Sequence, residues 1–291
     1  MRTPITNLIK KYHSKLFIGL FFSTTALSSY AQNYNEDDYQ VQFQWPEGKQ
    51  SALSISFDDA RPSQLTNGIP ILDKYNAKAT FYVSTFALPG YEDKWKTAIK
   101  NGHEIGNHTT RHPCSGNFAW TRLNDVEVED FTIEEIRQEL TNSNKLIHEK
   151  LGVIPKTFAY PCGQTAVGKG VNAKSYVPVA ADIFSNSRLW LTEYLNDPSF
   201  VDIYQLAGSR MDDLPFSELL PVIKQAQKQN RWVIFAGHDV GLSGQYSTRE
   251  KTLKALIEYA QDPKNQIWFD TVSNIADYVK VQQDTQTTSP E

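Results

Sequence analysis

Two aspartates, Asp58 and Asp59 in SFDDA, follow directly on the apolar stretch Ala52–Phe57. Adjacent carboxylates repel each other unless a cation or a shared proton relieves them. A turn or helix N-cap, with Pro62 close by, is the other use of such a pair. His108 and His112, in NHTTRH, have a spacing that suits a metal ion at a strand end and its loop. A solvated loop pair is the alternative, and Gly106, Asn107, Thr109 and Thr110 disfavour a helix there. Pro161 and Gly163, in FAYPCG, permit a tight turn that aims a backbone N–H at a ligand. His238 follows the apolar run WVIF, with Gly237 before it, a placement suited to chemistry. His103 stands at the start of its stretch, away from the others, and reads as structural.

Four separate segments therefore carry reactive side chains, each at the end of a candidate strand. Strands are expected at 52–57, 78–84, 104–109, 157–160, 176–180, 201–206, 232–235 and 267–269. Helices are expected at 63–75, 92–101, 132–151, 216–230, 248–260 and 271–279. Thr132 with Glu135 forms a capping box for the longest of them. Alternation of this kind over about 240 residues argues an α/β fold with a mainly parallel sheet. The length suits a (β/α) barrel, complete or one unit short, and a doubly wound open sheet is the alternative. Both bring the carboxyl ends of strands, and so the four reactive segments, into one pocket.

The N-terminus has a different character. Arg2, Lys10, Lys11 and Lys15 precede an apolar run, Leu16–Leu27, and then Ser29-Tyr30-Ala31, a small-x-small cleavage pattern. Residues 1–31 read as a secretory signal peptide, 32–48 as a polar linker, 49–280 as one catalytic domain and 281–291 as a flexible tail. The apolar run is shorter than the roughly 20 residues a membrane span needs, so no span is expected in the mature chain. The first 31 residues hold four basic side chains and no acid, so the formal charge of −4 becomes −8 without them. An acidic body argues against nonspecific nucleic-acid partners. The expected location is periplasmic or secreted.

Together these motifs resemble the polysaccharide deacetylase (NodB-homology, carbohydrate esterase) family over roughly residues 50–280. Its T-F-D-D-G motif is similar to Ser56-Phe57-Asp58-Asp59-Ala60, its H-[ST]-x-x-H motif to HTTRH, its proline–aromatic–glycine turn to Tyr160-Pro161-Cys162-Gly163, and its late strand-His motif to His238. The resemblance implies a distorted (β/α) barrel and one divalent ion, zinc or cobalt among the candidates, held by Asp59, His108 and His112. It implies Asp58 as the base, His238 as the acid and the Cys162 amide as an oxyanion donor. The implied reaction releases acetate from an exported or extracellular poly- or oligosaccharide. Trp120, in a long insertion, Tyr160 and Trp190 are the expected substrate contacts.

Three departures from the family pattern bear on the chemistry. Ala159 stands where the turn motif usually has an arginine for the base. The D-x-x-D-W motif that orients this arginine is missing, with 182–190 (DIFSNSRLW) a loose candidate, and the turn's aromatic is Cys162. A missing arginine opens a second reading, a metal-dependent lyase or dehydratase acting on uronate-containing oligosaccharides. A non-catalytic carbohydrate-binding protein is a third. Given the fold, Cys114 and Cys162 share one rim. In an exported chain with two cysteines a disulfide is then expected, two buried thiols being the alternative.

Overall fold

The computed structural model describes residues 43–192 and 195–287, which lie within one compact unit, Val41–Glu291. The signal-peptide reading of 1–31 falls outside the described residues. The strands are β1 (Ser51–Asp58), β2 (Thr80–Val83), β3 (Glu104–Asn107), β4 (Thr157–Ala159), β5 (Ala166–Val167), β6 (Lys174–Ser175), β7 (Asn186–Arg188), β8 (Ser209–Arg210), β9 (Trp232–Gly237), β10 (Asp239–Gly241), β11 (Ser247–Arg249) and β12 (Ile267–Phe269). The helices are α1 (Ile69–Lys74), α2 (Glu92–Lys100), α3 (Ala119–Leu123), α4 (Ile133–Leu151), α5 (Val177–Ile183), α6 (Phe216–Lys228), α7 (Glu250–Gln261) and α8 (Val272–Thr287).

Eight strands form one parallel sheet in the order β7-β4-β3-β2-β1-β9-β8, with β12 also pairing to β1. The sheet curls into a half-barrel, the distorted (β/α) barrel that the family resemblance implies. Every residue of β1 and β9 is buried. Along β1, Leu53, Ile55 and Phe57 belong to the larger apolar cluster, with side chains from α1, α2, α6 and α7. Burying each of the three stabilises the fold by roughly 1.5–3 kcal/mol. The alternate residues Ala52, Ser54, Ser56 and Asp58 share the opposite face, because side chains alternate along a strand. There Trp232 Nε1 donates to Ser54 Oγ (3.2 Å) and Ser56 Oγ donates to the Phe235 carbonyl (3.1 Å), so β1 and β9 are cross-linked beneath the polar end.

α4 opens with the capping box, Thr132 with Glu135, and ends at Gly152 in the left-handed region (φ 78°). Two expected strands are absent. Residues 176–180 belong to α5 and its N-terminal flank: Tyr176, Val179, Ala180 and Phe184 are buried together, a helical spacing rather than an alternating one. Pro178, in the first turn, breaks no helical hydrogen bond. Residues 201–206 are a turn built on Asp202, whose carboxylate accepts from the Tyr204 amide (2.9 Å) and Gln205 Nε2 (2.8 Å). The strand there is the two-residue β8, just downstream.

The linker and tail readings also need revision. Phe43 and Trp45 are buried against Val272, Ile275 and Val279 of α8, so the last part of 32–48 packs on the domain. α8 runs on through 281–287, and Gln283 Nε2 donates to the carbonyls of Pro198 and Val201 (3.0 Å each).

Candidate metal centre and catalytic cleft

The carboxyl ends of β1, β3, β4, β7 and β9 open on one cleft of about 980 Å3. Asp58, Asp59, His108, His112, Cys162 and His238 all line it, with Trp120 and Trp190 on its walls. Tyr160 does not. It is buried under the turn, packs on Phe158 and Tyr176, and donates its hydroxyl to the Tyr204 carbonyl (3.0 Å). Its expected role as a substrate contact is thus corrected to a core one. His103 is also buried, between the Ala79 amide and Asp73.

At the end of β1 the backbone turns through two non-glycine residues of positive φ, Asp59 (76°) and Ala60 (56°). Such conformations cost of order 1–3 kcal/mol each and persist where the surroundings enforce them. Here Gln64 supplies part of that enforcement. Its side chain, at the head of a π-helical turn before α1, donates to the carbonyls of Asp58 (2.6 Å) and His238 (2.9 Å). It therefore pins the ends of β1 and β9 together.

The histidine loop after β3 is held by α4. Asn107 Nδ2 bonds Asn144 Oδ1 (2.7 Å), and the buried Glu139 carboxylate accepts from the amides of Thr110 (2.9 Å) and Arg111 (2.7 Å). His108 Nδ1 lies 2.8 Å from the Ala159 carbonyl, which can only accept. The proton is therefore on Nδ1, and the Nε2 lone pair is free to face Asp59. His108 Nε2 and His112 Nε2 lie 3.5 Å and 3.4 Å from the same atom, Asp59 Oδ1. That oxygen is buried and has no hydrogen-bond partner. The other, Oδ2, is taken by Arg61 through Nε (3.1 Å) and Nη2 (2.9 Å).

Burial alone would raise the Asp59 pKa, but His108, His112, His238 and Arg61 hold it down at about 2. Burial and the neighbouring His108 push His112 down to about 4, against the pull of Asp59 and Asp58. At neutral pH this leaves an anionic Asp59 oxygen and a neutral His112 imidazole, and one ligand atom from each of Asp59, His108 and His112 lies within 4.8 Å of the others. An orphaned buried oxygen flanked by two nitrogen lone pairs fits a divalent cation such as zinc.

Two further pairs face this cluster, and neither was legible in the motifs. The Asp58 carboxylate is paired with Arg188 Nη2, and both side chains are buried. Arg188 also donates to the Leu189 carbonyl (2.8 Å) and lies over the Tyr82 ring, 4.8 Å from its centroid. A side chain at Gly208 would meet the Leu189 carbonyl at 2.4 Å and Arg188 Nη1 at 3.1 Å, so only glycine leaves this guanidinium its place. Asp58 thus has an arginine after all. It comes from β7, where Arg188 pairs in register with Ala159 of β4, the position where the family motif usually carries it. On the other side, His238 Nδ1 lies 2.6 Å from Asp212 Oδ2, while Asp212 Oδ1 accepts from the His238 amide (3.1 Å) and Thr248 Oγ1 (2.8 Å). Burial alone would lower the His238 pKa; the hydrogen bond to Asp212 and the charges of Asp58 and Asp59 raise it instead.

Cys114 and Cys162 are joined in a disulfide that closes a 48-residue separation. It ties the loop following His112 to the turn after β4. That turn uses the amides of Gly163 and Gln164 for the carbonyls of Tyr160 and Pro161, and the Cys162 amide is not among those bonds. Trp190 lies 5.0 Å from His238 and Trp120 5.6 Å from His112, ring to ring.

The curled sheet is shared with solved structures. A candidate polysaccharide deacetylase from Mycobacterium smegmatis superposes with a TM-score of 0.61 at 16% identity, covering 83% of this chain and 94% of that one. A family 4 acetyl xylan esterase from Clostridium thermocellum, solved with a cobalt ion, gives 0.52 at 19%, covering 78% and 91%. At those identities the likeness defines a class of fold. Sequence goes further: residues 46–176 match the model of the polysaccharide deacetylase family. The chain is 27% identical over 131 residues to a peptidoglycan-N-acetylglucosamine deacetylase of Listeria monocytogenes, covering 44% of this chain and 24% of that protein. It is 28% identical over 128 residues to the uncharacterised YlxY of Bacillus subtilis, covering 44% and 34%. The chain thus spans about a third or less of these relatives' length.

Proposed function

We propose that this protein is a metal-dependent hydrolase that removes acetyl groups from an exported or extracellular poly- or oligosaccharide. The observation that carries the reading is Asp59 Oδ1, buried and unpartnered between two imidazole nitrogens, beside a second carboxylate held by its own arginine. A divalent ion held by Asp59, His108 and His112 would polarise the acetyl carbonyl and acidify a water. Asp58, fixed by Arg188, takes the proton from the attacking water. The Cys162 amide, on the tied rim of the cleft, donates to the developing oxyanion. His238, with Nδ1 engaged by Asp212, presents Nε2 to the leaving amine or alcohol and donates its proton. Trp120 and Trp190 offer aromatic faces to sugar rings. The lyase reading rested on a missing arginine, and Arg188 removes that ground. The basic and apolar N-terminus supports export.

Acetate release from acetylated glycans, with metal content measured on the same samples, tests the proposal. His112→Ala is expected to lose metal and activity together. Asp58→Asn keeps the metal and loses turnover. Full turnover by Asp58→Asn, or acetate release undiminished in metal-depleted protein, overturns the assignment.

A further inference from the structure

Four arginines surround the cleft, and three of them are committed. Arg188 holds Asp58, Arg61 bridges Asp59 and Asp239, and Arg111 is bound to the buried Glu139. Arg210 is different. It ends β8, beside β9 and His238, it lines the cleft, and it is exposed. Among the described residues its side chain makes no hydrogen bond or ion pair, although its charge is felt at Asp213, which is already bound to Arg249 (2.8 Å). The acids lining the cleft, Asp58 and Asp59, are bound by Arg188 and Arg61, so neither is a partner for Arg210. A divalent cation at Asp59, His108 and His112 would add positive charge on the same side. This unpaired guanidinium sits in a chain whose formal charge is −4. A local positive charge can attract an anion at close range despite the opposite net charge, because salt screens the interaction with charges farther off than about 8 Å.

We infer that Arg210 is a specificity residue that binds a carboxylate borne by the substrate's sugar chain, so that the preferred substrate is an acidic, acetylated glycan. The inference rests on the deacetylase reading and names its substrate class. A planar guanidinium with free N–H groups matches a carboxylate in a two-pronged geometry that lysine cannot copy. Aromatic walls at Trp190 and Tyr246, beside His238, would seat the sugar ring while Arg210 takes the charged group.

The test compares acetylated oligosaccharides bearing a ring carboxylate, and others bearing an ether-linked carboxylate, with their carboxyl-reduced counterparts. The wild type is expected to favour at least one acidic member, and the arm showing the preference identifies the source. In Arg210→Gln the ratio of kcat/KM between acidic and neutral members should fall about tenfold, through KM of the acidic one, or about 1.4 kcal/mol. Arg210→Lys should recover part of it. A merely structural role would depress both members alike and leave the ratio unchanged. No preference in the wild type, or a preference that survives Arg210→Gln, overturns the inference. If no member releases acetate, the deacetylase reading fails. Calorimetric binding of the same pairs to wild type and Arg210→Gln then decides the carboxylate site separately, by the same ratio.

Discussion

Replacing Arg188 by methionine gives the most direct check on how the cleft is held together. The side chain is fully buried, and so, nearly, is its partner Asp58. Methionine fills much of the volume and supplies no charge, so a carboxylate is left in the interior without its cation. Breaking a buried pair in this way destabilises a protein by about 3–5 kcal/mol. For a domain of this size that is a fall in Tm of roughly 6–20 °C. Asp58→Asn in the same chain removes the uncompensated charge, and the double variant should recover about 2–3 kcal/mol relative to the sum of the two singles. Urea unfolding of the four proteins, run with a chelator so that bound metal does not mask the difference, measures the cycle. Unchanged stability in Arg188→Met, or a double variant no better than the sum of the singles, would refute a structural ion pair at this point. Acetate release should fall in Arg188→Met as well, since Asp58 loses the group that fixes it.

Two further outcomes follow from other parts of the molecule. His103 Nδ1 accepts from the Ala79 amide and Nε2 faces Asp73, so the buried ring is needed in its neutral form, and burial lowers its pKa from 6.5. The unfolded chain therefore takes up this proton first, and stability present above about pH 6.5 should decline as the pH falls below it; His103→Gln should flatten the urea midpoint against pH, and an unaltered slope would count against the assignment. Closing a loop of 48 residues by the Cys114–Cys162 disulfide is worth about 4 kcal/mol on chain-entropy grounds, so Cys114→Ser/Cys162→Ser should unfold at markedly lower urea, and thiol reagents should label the denatured wild type after reduction and not before.

Asp58, Asp59, His108, His112 and His238 were legible because their segments lie at the ends of candidate strands, and a parallel sheet gathers such positions whatever its curvature. The positioning groups left weaker marks. Arg188 ends a three-residue strand, Asn-Ser-Arg, that is wholly buried and wholly polar, so neither alternation nor hydrophobicity announces it. Its neighbourhood, DIFSNSRLW, resembles an acid motif only loosely, and nothing in its spacing marks the arginine inside it. Asp212 follows a strand of two residues, too short for any periodic signal. The segment 176–180 reads as a strand because Tyr176, Val177 and Val179 have strand-like side chains, and the helical period shows only over the longer stretch to Phe184. Gln64 and Glu139 act through backbone amides and carbonyls, which only the folded chain brings within reach.

The exchange between β4 and β7 has a consequence for how relatives of this chain are judged. Neighbouring parallel strands hold register-paired residues side by side, so a guanidinium can be delivered to one point in space from either of two places in the chain. Compared column by column, Ala159 would mark this protein as an inert relic. Compared by location in three dimensions, its charge inventory is whole.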